Sequence, residues 1–210
     1  EIASCSNGYV YVLRATEDGT YSTIWFSEFL DCIQITSADR DSNGVRELYV
    51  AGNNGQVRIL DGASFQTLGT FLAITHIGLT DIAVADVDND GNQEIVLLRN
   101  EEALVYDANS YVLEWQAPGL GGWEMDIGNI DSDPVPEIVV NGYPAHVLNA
   151  SLKIEEWTYS GGFGTRMSLG DVDYDGMEEI AYIYLYDVYM LEGDTREIKW
   201  EINDFILSLS

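Results

Sequence analysis

Short hydrophobic stretches separated by turn residues recur along the whole chain. Residues 81–85 place Ile82 and Val84 in alternation with smaller or polar side chains, whereas residues 95–98 form a continuous apolar run. Alternation is typical of a half-buried β-strand, and a short apolar run between turns is typical of a buried one. Tyrosine and tryptophan are abundant and proline is scarce, which also favours β structure. The pattern therefore predicts an all-β protein.

The predicted strands repeat at a regular interval. Five apolar runs each begin with a glutamate, and the spacings between these glutamates are 46, 47, 43 and 42 residues. The five residues are Glu1, Glu47, Glu94, Glu137 and Glu179. A period of this size with four strands per repeat is typical of β-propeller blades. We therefore predict an all-β fold, a β-propeller of four-stranded blades that forms a single domain over residues 1–210, with five repeats visible.

Four tryptophans share one position of the repeat. They are Trp25, Trp115, Trp157 and Trp200. A large apolar side chain at one repeat position is typical of packing between neighbouring units. We predict that these tryptophans form the core between blades and do not serve as a platform for a ligand.

The two ends of the chain bear on the number of blades. Residues 205–210 resemble the inner strand that would lead into another acidic loop, and Glu1 resembles the residue that follows such a loop. No secretory signal precedes Glu1, so we expect a mature chain or a fragment. The five repeats are then either a small ring, closed by pairing of the first and last segments, or part of a larger ring.

An acidic loop precedes the glutamate of most repeats, and residues 86–94 (DVDNDGNQE) are the clearest copy. Side-chain oxygens stand at loop positions 1, 3, 5 and 9, and Gly91 at position 6 permits the positive φ of a tight turn. Clustered oxygen ligands of this kind suit Ca²⁺. An EF-hand is excluded because it needs a glutamate at position 12 between helices, and that position here is Leu97 beside strand-like flanks.

Three further loops, residues 39–47, 129–137 and 171–179, keep the same pattern. A solvated acidic turn would explain one copy, but four copies between strands favour calcium binding. We predict two to four bound Ca²⁺ ions. The Asp86 and Asp171 loops should bind best, the Asp39 loop less well, and the Asn129 loop least, because Pro134 cannot adopt a positive φ. The predicted side-chain ligands are Asp39, Asp41, Asn43, Glu47, Asp86, Asp88, Asp90, Glu94, Asn129, Asp131, Asp133, Glu137, Asp171, Asp173, Asp175 and Glu179.

Composition excludes some partners. The formal net charge is −27, from 36 acidic and 9 basic residues, so neither nucleic acid nor an anionic lipid surface is expected to bind. No apolar run reaches the length of a membrane span, so no direct membrane insertion is expected. Cys5 and Cys32 fall in different repeats; a disulfide is one interpretation, but the spacing favours buried free thiols.

The repeats resemble those of the FG-GAP/VCBS family, as found in the propeller of integrin α subunits. Phe163-Gly164 precedes residues 171–176 (DVDYDG) as in the family's FG and DxDxDG elements, and residues 139–144 resemble a degraded GAP element. The resemblance implies a calcium-binding propeller in which the carbonyl at loop position 7 is a further ligand. Those carbonyls would belong to Val45, Asn92, Val135 and Met177. Residues 57–62 and 188–193 also resemble quinoprotein-type blades.

The expected function is a non-catalytic, calcium-binding module of a secreted or cell-surface protein, acting in adhesion. Its ligand, a protein or a glycan, would bind the face opposite the calcium loops, because function sits on loops held by a rigid scaffold. The candidate contact residues are His76, Trp123, Tyr143 and Tyr159, for each of which local packing is the alternative.

Two other function classes stay open. One is the propeller of a secreted enzyme, such as a polysaccharide lyase or a quinoprotein dehydrogenase. Only two histidines are present and neither lies near a nucleophile in sequence, although a spatial pair of carboxylates would not be visible in the sequence. The other is an intracellular propeller scaffold.

Overall fold

The computed structural model describes residues 1–73 and 78–202. Within these ranges the chain forms nineteen β-strands arranged in five antiparallel sheets, and no helix. The described part of the chain therefore offers no helix of the length and hydrophobicity that a membrane crossing requires. The prediction of an all-β fold is confirmed.

Each sheet is built from strands that are consecutive in the sequence. The first sheet contains β1 (Ile2–Ser6), β2 (Tyr9–Ala15) and β3 (Tyr21–Phe26). The second contains β4 (Cys32–Ala38), β5 (Glu47–Gly52), β6 (Gln56–Leu60) and β7 (Thr67–Leu72). The third contains β8 (Leu79–Ala85), β9 (Glu94–Arg99), β10 (Glu102–Asp107) and β11 (Leu113–Pro118). The fourth contains β12 (Glu124–Gly128), β13 (Glu137–Asn141), β14 (Ala145–Asn149) and β15 (Ile154–Tyr159). The fifth contains β16 (Arg166–Gly170), β17 (Glu179–Tyr184), β18 (Asp187–Leu191) and β19 (Ile198–Ile202).

The first strands of the sheets lie side by side. β4 contacts β8, β8 contacts β12, and β12 contacts β16, so these four strands line the centre while the other strands lead outward. This is the arrangement of propeller blades, and each acidic loop joins the innermost strand of its blade to the next strand, as predicted. The first sheet has three described strands; the inner strand predicted for residues 205–210 lies outside the described residues.

Apolar side chains fill the spaces between neighbouring blades. Four clusters of buried residues lie between the five consecutive sheets. Trp25, Trp115 and Trp157 pack in these clusters, which confirms their predicted role. The prediction is wrong for Trp200, which is 45% exposed, because no later sheet covers the fifth blade within the described residues.

Carboxylates also connect the inner strands. Asp81 accepts a hydrogen bond of 2.9 Å from the backbone N–H of Met125 in the next blade. Asp126 accepts one of 2.9 Å from the N–H of Leu169 in the blade after that. Burial raises the pKa of Asp81. These bonds hold the inner strands β8, β12 and β16 in register with one another, and therefore the loops that follow them.

The two cysteines form a disulfide, so the preference for free thiols is wrong. Cys5 on β1 and Cys32 at the start of β4 have Cα atoms 5.7 Å apart and are covalently linked. The two strands belong to consecutive blades that contact each other, and Gly8 pairs with Cys32 in an isolated bridge. The spacing places the cysteines in consecutive repeats but does not reveal that their side chains face each other.

Loss of this disulfide should destabilise the protein. A cross-link across 27 residues restricts the unfolded chain, so Cys32→Ser should lower the free energy of unfolding by about 3 kcal/mol. Urea unfolding monitored by tryptophan fluorescence measures the change. Cys5→Ser and the double variant serve as controls and should lose the same amount as the single variant; an unchanged midpoint in Cys32→Ser would show that the cross-link is absent.

Candidate metal centre

The acidic loops all lie at the same end of the blades, because each follows the inner strand of its sheet. In the Asp86 loop, the carboxylate of Asp86 accepts hydrogen bonds from the N–H groups of Asp90 (3.1 Å) and Gly91 (3.0 Å). Asp88 accepts a second bond from the Asp90 N–H at 3.2 Å. Asn89 and Gly91 have positive φ angles of 61° and 94°, the conformation for which glycine at position 6 was predicted.

The Asp39 and Asp171 loops repeat this geometry closely. Asp39 accepts bonds from the N–H groups at positions 5 and 6 at 3.0 and 2.9 Å, and Asp171 accepts the equivalent bonds at 3.1 Å each. Positions 4 and 6 again have positive φ in both loops. The sequence pattern in these three loops therefore encodes one backbone conformation that turns the side chains at positions 1, 3 and 5 inward.

A buried glutamate at position 9 closes every loop. Its carboxylate accepts a hydrogen bond of 2.9–3.0 Å from the backbone N–H at position 2. The four side chains are almost fully buried; they are Glu47, Glu94, Glu137 and Glu179. Burial, followed by the neighbouring carboxylates, raises the pKa of Glu94 to about 8 and that of Glu137 to about 7. A bound cation would stabilise the charged form of these groups.

Carboxylate oxygens from different positions come close enough to share a metal ion. Three groups have all their ligand atoms within 4.8 Å of one another in the Asp86, Asn129 and Asp171 loops, and a fourth overlaps the Asp171 group. The groups are Asp86, Asp88 and Asp90; Asp131, Glu137 and Glu156; Asp171, Asp173 and Glu179; and Asp175, Glu179 and Glu192. Oxygen-only sets of this kind fit Ca²⁺. The Asp39 loop, with Asn43 at position 5, forms no such group of three carboxylates among the described residues.

The residues at position 7 lie beside those at position 5. Their N–H groups donate to the position-5 side chains at 2.7–2.9 Å. These residues are Val45, Asn92, Val135 and Met177. Their carbonyls as metal ligands stay a prediction.

The Asn129 loop differs in its backbone but keeps its closing glutamate. Pro134 stands at position 6, and the positive φ of the other three loops is missing at Ser132. Glu137 still accepts a bond of 3.0 Å from the Ile130 N–H. Its other oxygen and the side-chain oxygen of Asn129 are both buried without a hydrogen-bond partner in the described structure. Proline thus changes the turn without removing the buried oxygens.

One residue near each loop was missed by the sequence analysis. The outermost described strand of every sheet contains a β-bulge, at which one residue is skipped in the pairing with its neighbour strand. The skipped residues are Ile24, Leu68, Glu114, Glu156 and Lys199. A bulge re-aims a side chain, and here Glu156 and Lys199 enter the loop clusters. In the last three blades the bulge residue directly precedes the repeated tryptophan, and this sequence position could have identified it.

Lys199 lies inside the Asp171 loop cluster. Its Nζ is 2.7 Å from Asp173, 2.8 Å from Glu179 and 2.6 Å from Glu192. These contacts raise the pKa of Lys199 and lower that of Asp173. In the Asp86 loop the bulge residue is the acidic Glu114. Burial raises the pKa of Glu94 most, and the charges of Asp88 and then Glu114 raise it further. The loops therefore share a backbone but not an electrostatic environment.

The opposite end of the blades carries an exposed aromatic surface. A cavity of about 380 Å³ is lined by Trp123 before β12, Tyr143 between β13 and β14, Tyr184 at the end of β17, and Leu185 and Tyr186 between β17 and β18. We call these five residues the aromatic surface. Tyr143 and Tyr186 are 77% and 78% exposed. Two of the residues predicted to contact a ligand are thus brought together.

The other two predicted contact residues do not join this surface. Tyr159 packs in the core between the fourth and fifth blades, where its ring stacks on Phe163 and its hydroxyl lies 3.1 Å from that of Tyr182. For Tyr159 the alternative interpretation, local packing, is therefore confirmed. His76 lies outside the described residues.

The second histidine shows no nucleophile among its described contacts. His146 is buried on β14, and its Nδ1 lies 2.7 Å from the carboxylate of Glu155. That carboxylate also accepts a hydrogen bond from the hydroxyl of Thr158 at 2.5 Å. These contacts link β14 to β15, which pair side by side, and fit a structural role.

No protein-family model matches this chain, and neither does any curated protein. Several solved structures do. The WD40 β-propeller domain of Doa1 is similar with a TM-score of 0.65 and 12% identity, over 95% of this chain and 64% of that chain. The chain has a β-propeller fold. The structure of BBS1N in complex with ARL6DN is similar with a TM-score of 0.61 and 12% identity, over 83% of this chain and 57% of that one.

A bacterial structure is also similar. The biofilm matrix protein Bap1 of V. cholerae gives a TM-score of 0.60 and 18% identity, over 93% of this chain and 35% of that chain. This chain thus spans less than two thirds of the length of each of the three structures. Likeness at this level of identity establishes the fold, while function rests on the residues of the sites.

The stability of the calcium-free protein should fall as the pH rises from about 5 to about 8. The pKa values of buried Glu94 and Glu137, about 8 and about 7, lie above the value of 4.5 for an exposed glutamate. The folded state therefore binds more protons than the unfolded state in this window, and each pH unit removes up to about 1.4 kcal/mol per group. Saturating calcium should reduce or reverse the fall, because metal binds the charged form.

Melting temperatures in EDTA and in calcium, at pH 5.5 and pH 8, measure this effect. Glu94→Gln keeps the shape of the side chain and cannot ionise, so it should flatten the pH dependence in EDTA and weaken the stabilisation by calcium. The raised pKa of Glu94 would be contradicted if the melting temperature in EDTA rose between these pH values, by the same amount in the unmodified protein and in the variant.

Proposed function

We propose that this chain is a non-catalytic, calcium-binding β-propeller module that binds a protein partner through its aromatic surface. The observation that carries the proposal is the division of the molecule into two different ends. Acidic loops with buried glutamates occupy one end of the blades, and the exposed aromatic surface occupies the other. Calcium would hold the inner strands and their loops in place, so that the opposite end is presented on a rigid frame.

The aromatic surface has the composition of a binding site. Exposed tryptophan and tyrosine are enriched at the centres of protein interfaces, where a large apolar ring and a polar atom are buried together. Trp123 comes from the fourth blade and Tyr184 and Tyr186 from the fifth, so the surface depends on how two blades pack. One of the similar solved structures, BBS1N, is a complex with the protein ARL6DN, and this supports a protein as the partner.

The proposed location is extracellular or on the cell surface. The Cys5–Cys32 disulfide suits an oxidising compartment, and loops with mixed ligand sets suit the millimolar calcium found outside cells. The resemblance of the loops to FG-GAP/VCBS repeats supports the same setting and a role in adhesion.

Calcium should stabilise the protein, and Asp88→Ala should remove part of that stabilisation. Asp88 lies in the group formed by Asp86, Asp88 and Asp90, so its loss should cost about 1–3 kcal/mol in saturating calcium through weaker ligand linkage. In EDTA the same change should be neutral or slightly stabilising, because burial and then the neighbouring carboxylates raise the pKa of Asp88.

Thermal unfolding with and without calcium measures both effects. Glu17→Ala, an exposed residue outside the loops, removes one negative charge as a control and should leave the calcium effect unchanged. If EDTA does not change the melting temperature of the unmodified protein, calcium binding by these loops is refuted.

The double variant Tyr143→Ala/Tyr186→Ala should lose partner binding without losing stability, because both side chains are largely exposed. Proteins captured from an extracellular fraction are identified with the unmodified chain, and the affinity of a purified candidate is then measured by calorimetry. We expect a loss of about tenfold or more, as for aromatic anchors of other interfaces.

The control for this experiment is Tyr174→Ala. Tyr174 is 90% exposed but lies in the Asp171 loop at the other end of the blades, so its removal should leave partner binding unchanged. Equal affinity of the unmodified chain and the double variant would refute the aromatic surface as the binding site. Binding only to a glycan array, lost in the double variant, would replace the protein partner by a carbohydrate.

A further inference from the structure

The bulge residue of the fourth strand is neutral, acidic or basic, depending on the blade. It is Leu68 in the second blade, Glu114 in the third, Glu156 in the fourth and Lys199 in the fifth. The backbone position is the same, because each bulge falls opposite the C-terminal end of the third strand. The residue type at this position therefore differs between blades, whereas the backbone around it is the same.

Lys199 places a positive charge where a metal ion would share its ligands. Its ammonium group has three donors, and three carboxylates, from Asp173, Glu179 and Glu192, lie within 2.8 Å of Nζ. Asp173 and Glu179 are also loop ligands in the group that includes Asp171. A divalent ion at the same oxygens would meet the repulsion of this ammonium at a distance of a few ångströms.

Glu156 has the opposite effect on the Asn129 loop. It brings a third carboxylate within 4.8 Å of those of Asp131 and Glu137. One of its oxygens accepts a hydrogen bond of 2.9 Å from the side chain of Asn149, which holds the carboxylate in place. A second observation concerns hydrogen bonding and not proximity: Glu137 is fully buried, and one of its oxygens has no hydrogen-bond partner in the described structure.

An unpartnered oxygen of a fully buried carboxylate is costly without a compensating partner. The side-chain oxygen of Asn129 in the same loop is also buried and unpartnered. A cation placed among Asp131, Glu137 and Glu156 would satisfy the first of these oxygens and neutralise the cluster. The Asp171 loop has no such need at Glu179, because Lys199 already contacts it.

We propose that the bulge residue decides which cation each loop holds. Lys199 is a covalently attached counter-ion that replaces calcium in the Asp171 loop, and Glu156 completes a divalent-cation site with Asp131 and Glu137 in the Asn129 loop. This inference rests on the proposed calcium binding and refines it. It reverses the order of affinities expected from the loop residues alone, which placed the Asp171 loop among the strongest sites and the Asn129 loop last.

Counting bound ions tests the proposal. Equilibrium dialysis against calcium, followed by elemental analysis, gives the number of ions per chain for the unmodified protein and for Lys199→Met and Glu156→Gln. Lys199→Met should bind one more ion than the unmodified protein, because the carboxylates lose their attached cation. Glu156→Gln should lose one ion, or weaken one site by about tenfold or more, because ligand charge tunes calcium affinity.

Matched variants separate these effects from a general change of charge or fold. Arg166→Met removes a basic residue from the same blade, at the end opposite the loops, and should leave the number of ions unchanged. Lys199→Arg keeps the positive charge and should also bind no extra ion. Asp131→Asn provides a second test of the Asn129 loop if Glu156→Gln does not fold, and should lose the same ion.

Melting temperatures give an independent measurement. In EDTA, Lys199→Met should be less stable than the unmodified protein, and calcium should restore most of the difference. If the unmodified protein binds calcium but neither Lys199→Met nor the Asn129-loop variants change the count, the inference is overturned while the proposed function stands. If no variant binds calcium at all, both are overturned.

Discussion

The fold of every acidic loop depends on one buried glutamate. At the start of each second strand, this side chain accepts a hydrogen bond from the N–H at loop position 2, in all four loops and including the one with proline. The bond closes the loop between the inner strand and the next strand. Its location is also unfavourable for a negative charge, as the raised pKa values of Glu94 and Glu137 show. In the third and fourth blades this carboxylate is therefore stabilised by a proton or by a cation beside it.

The fifth blade supplies that positive charge from its own chain. Lys199 reaches Glu179 from the bulge of the outer strand, whereas the fourth blade presents Glu156 from the equivalent position. Repeats that share a backbone can thus differ in the cation they require, because a bulge leaves one side chain free of the pairing pattern of the strand.

The two ends of the blades are built by different means. The loop end consists of local turns in which most hydrogen bonds join residues two to seven positions apart. The aromatic surface at the other end is assembled from separate turns of the fourth and fifth blades, and neighbouring blades are joined by apolar clusters and by bonds such as that from Met125 to Asp81. A rigid frame with a variable surface at one end is a common arrangement for recognition.

Local features of this protein could be predicted from its sequence. The strands, the four loops and the glutamate that ends each loop follow from apolar alternation and turn chemistry, which act over fewer than ten residues, and the repeat follows from their recurrence along the chain. Glycine at position 6 in three loops predicted a positive φ that the structure shows. The role of three of the four tryptophans was predictable for the same reason, since the repeat places equivalent residues in equivalent environments.

Tertiary structure alone decided the features that depend on which strands are neighbours. The disulfide joins cysteines of two adjacent blades, Tyr159 packs in the core while Tyr143 is exposed, and Trp200 lacks a covering sheet within the described residues. The bulge that brings Lys199 to Glu179 is a shift of one residue in strand pairing, which the alternation of apolar residues does not encode. Periodicity determines what each segment becomes, whereas contacts between blades determine which charges and rings meet.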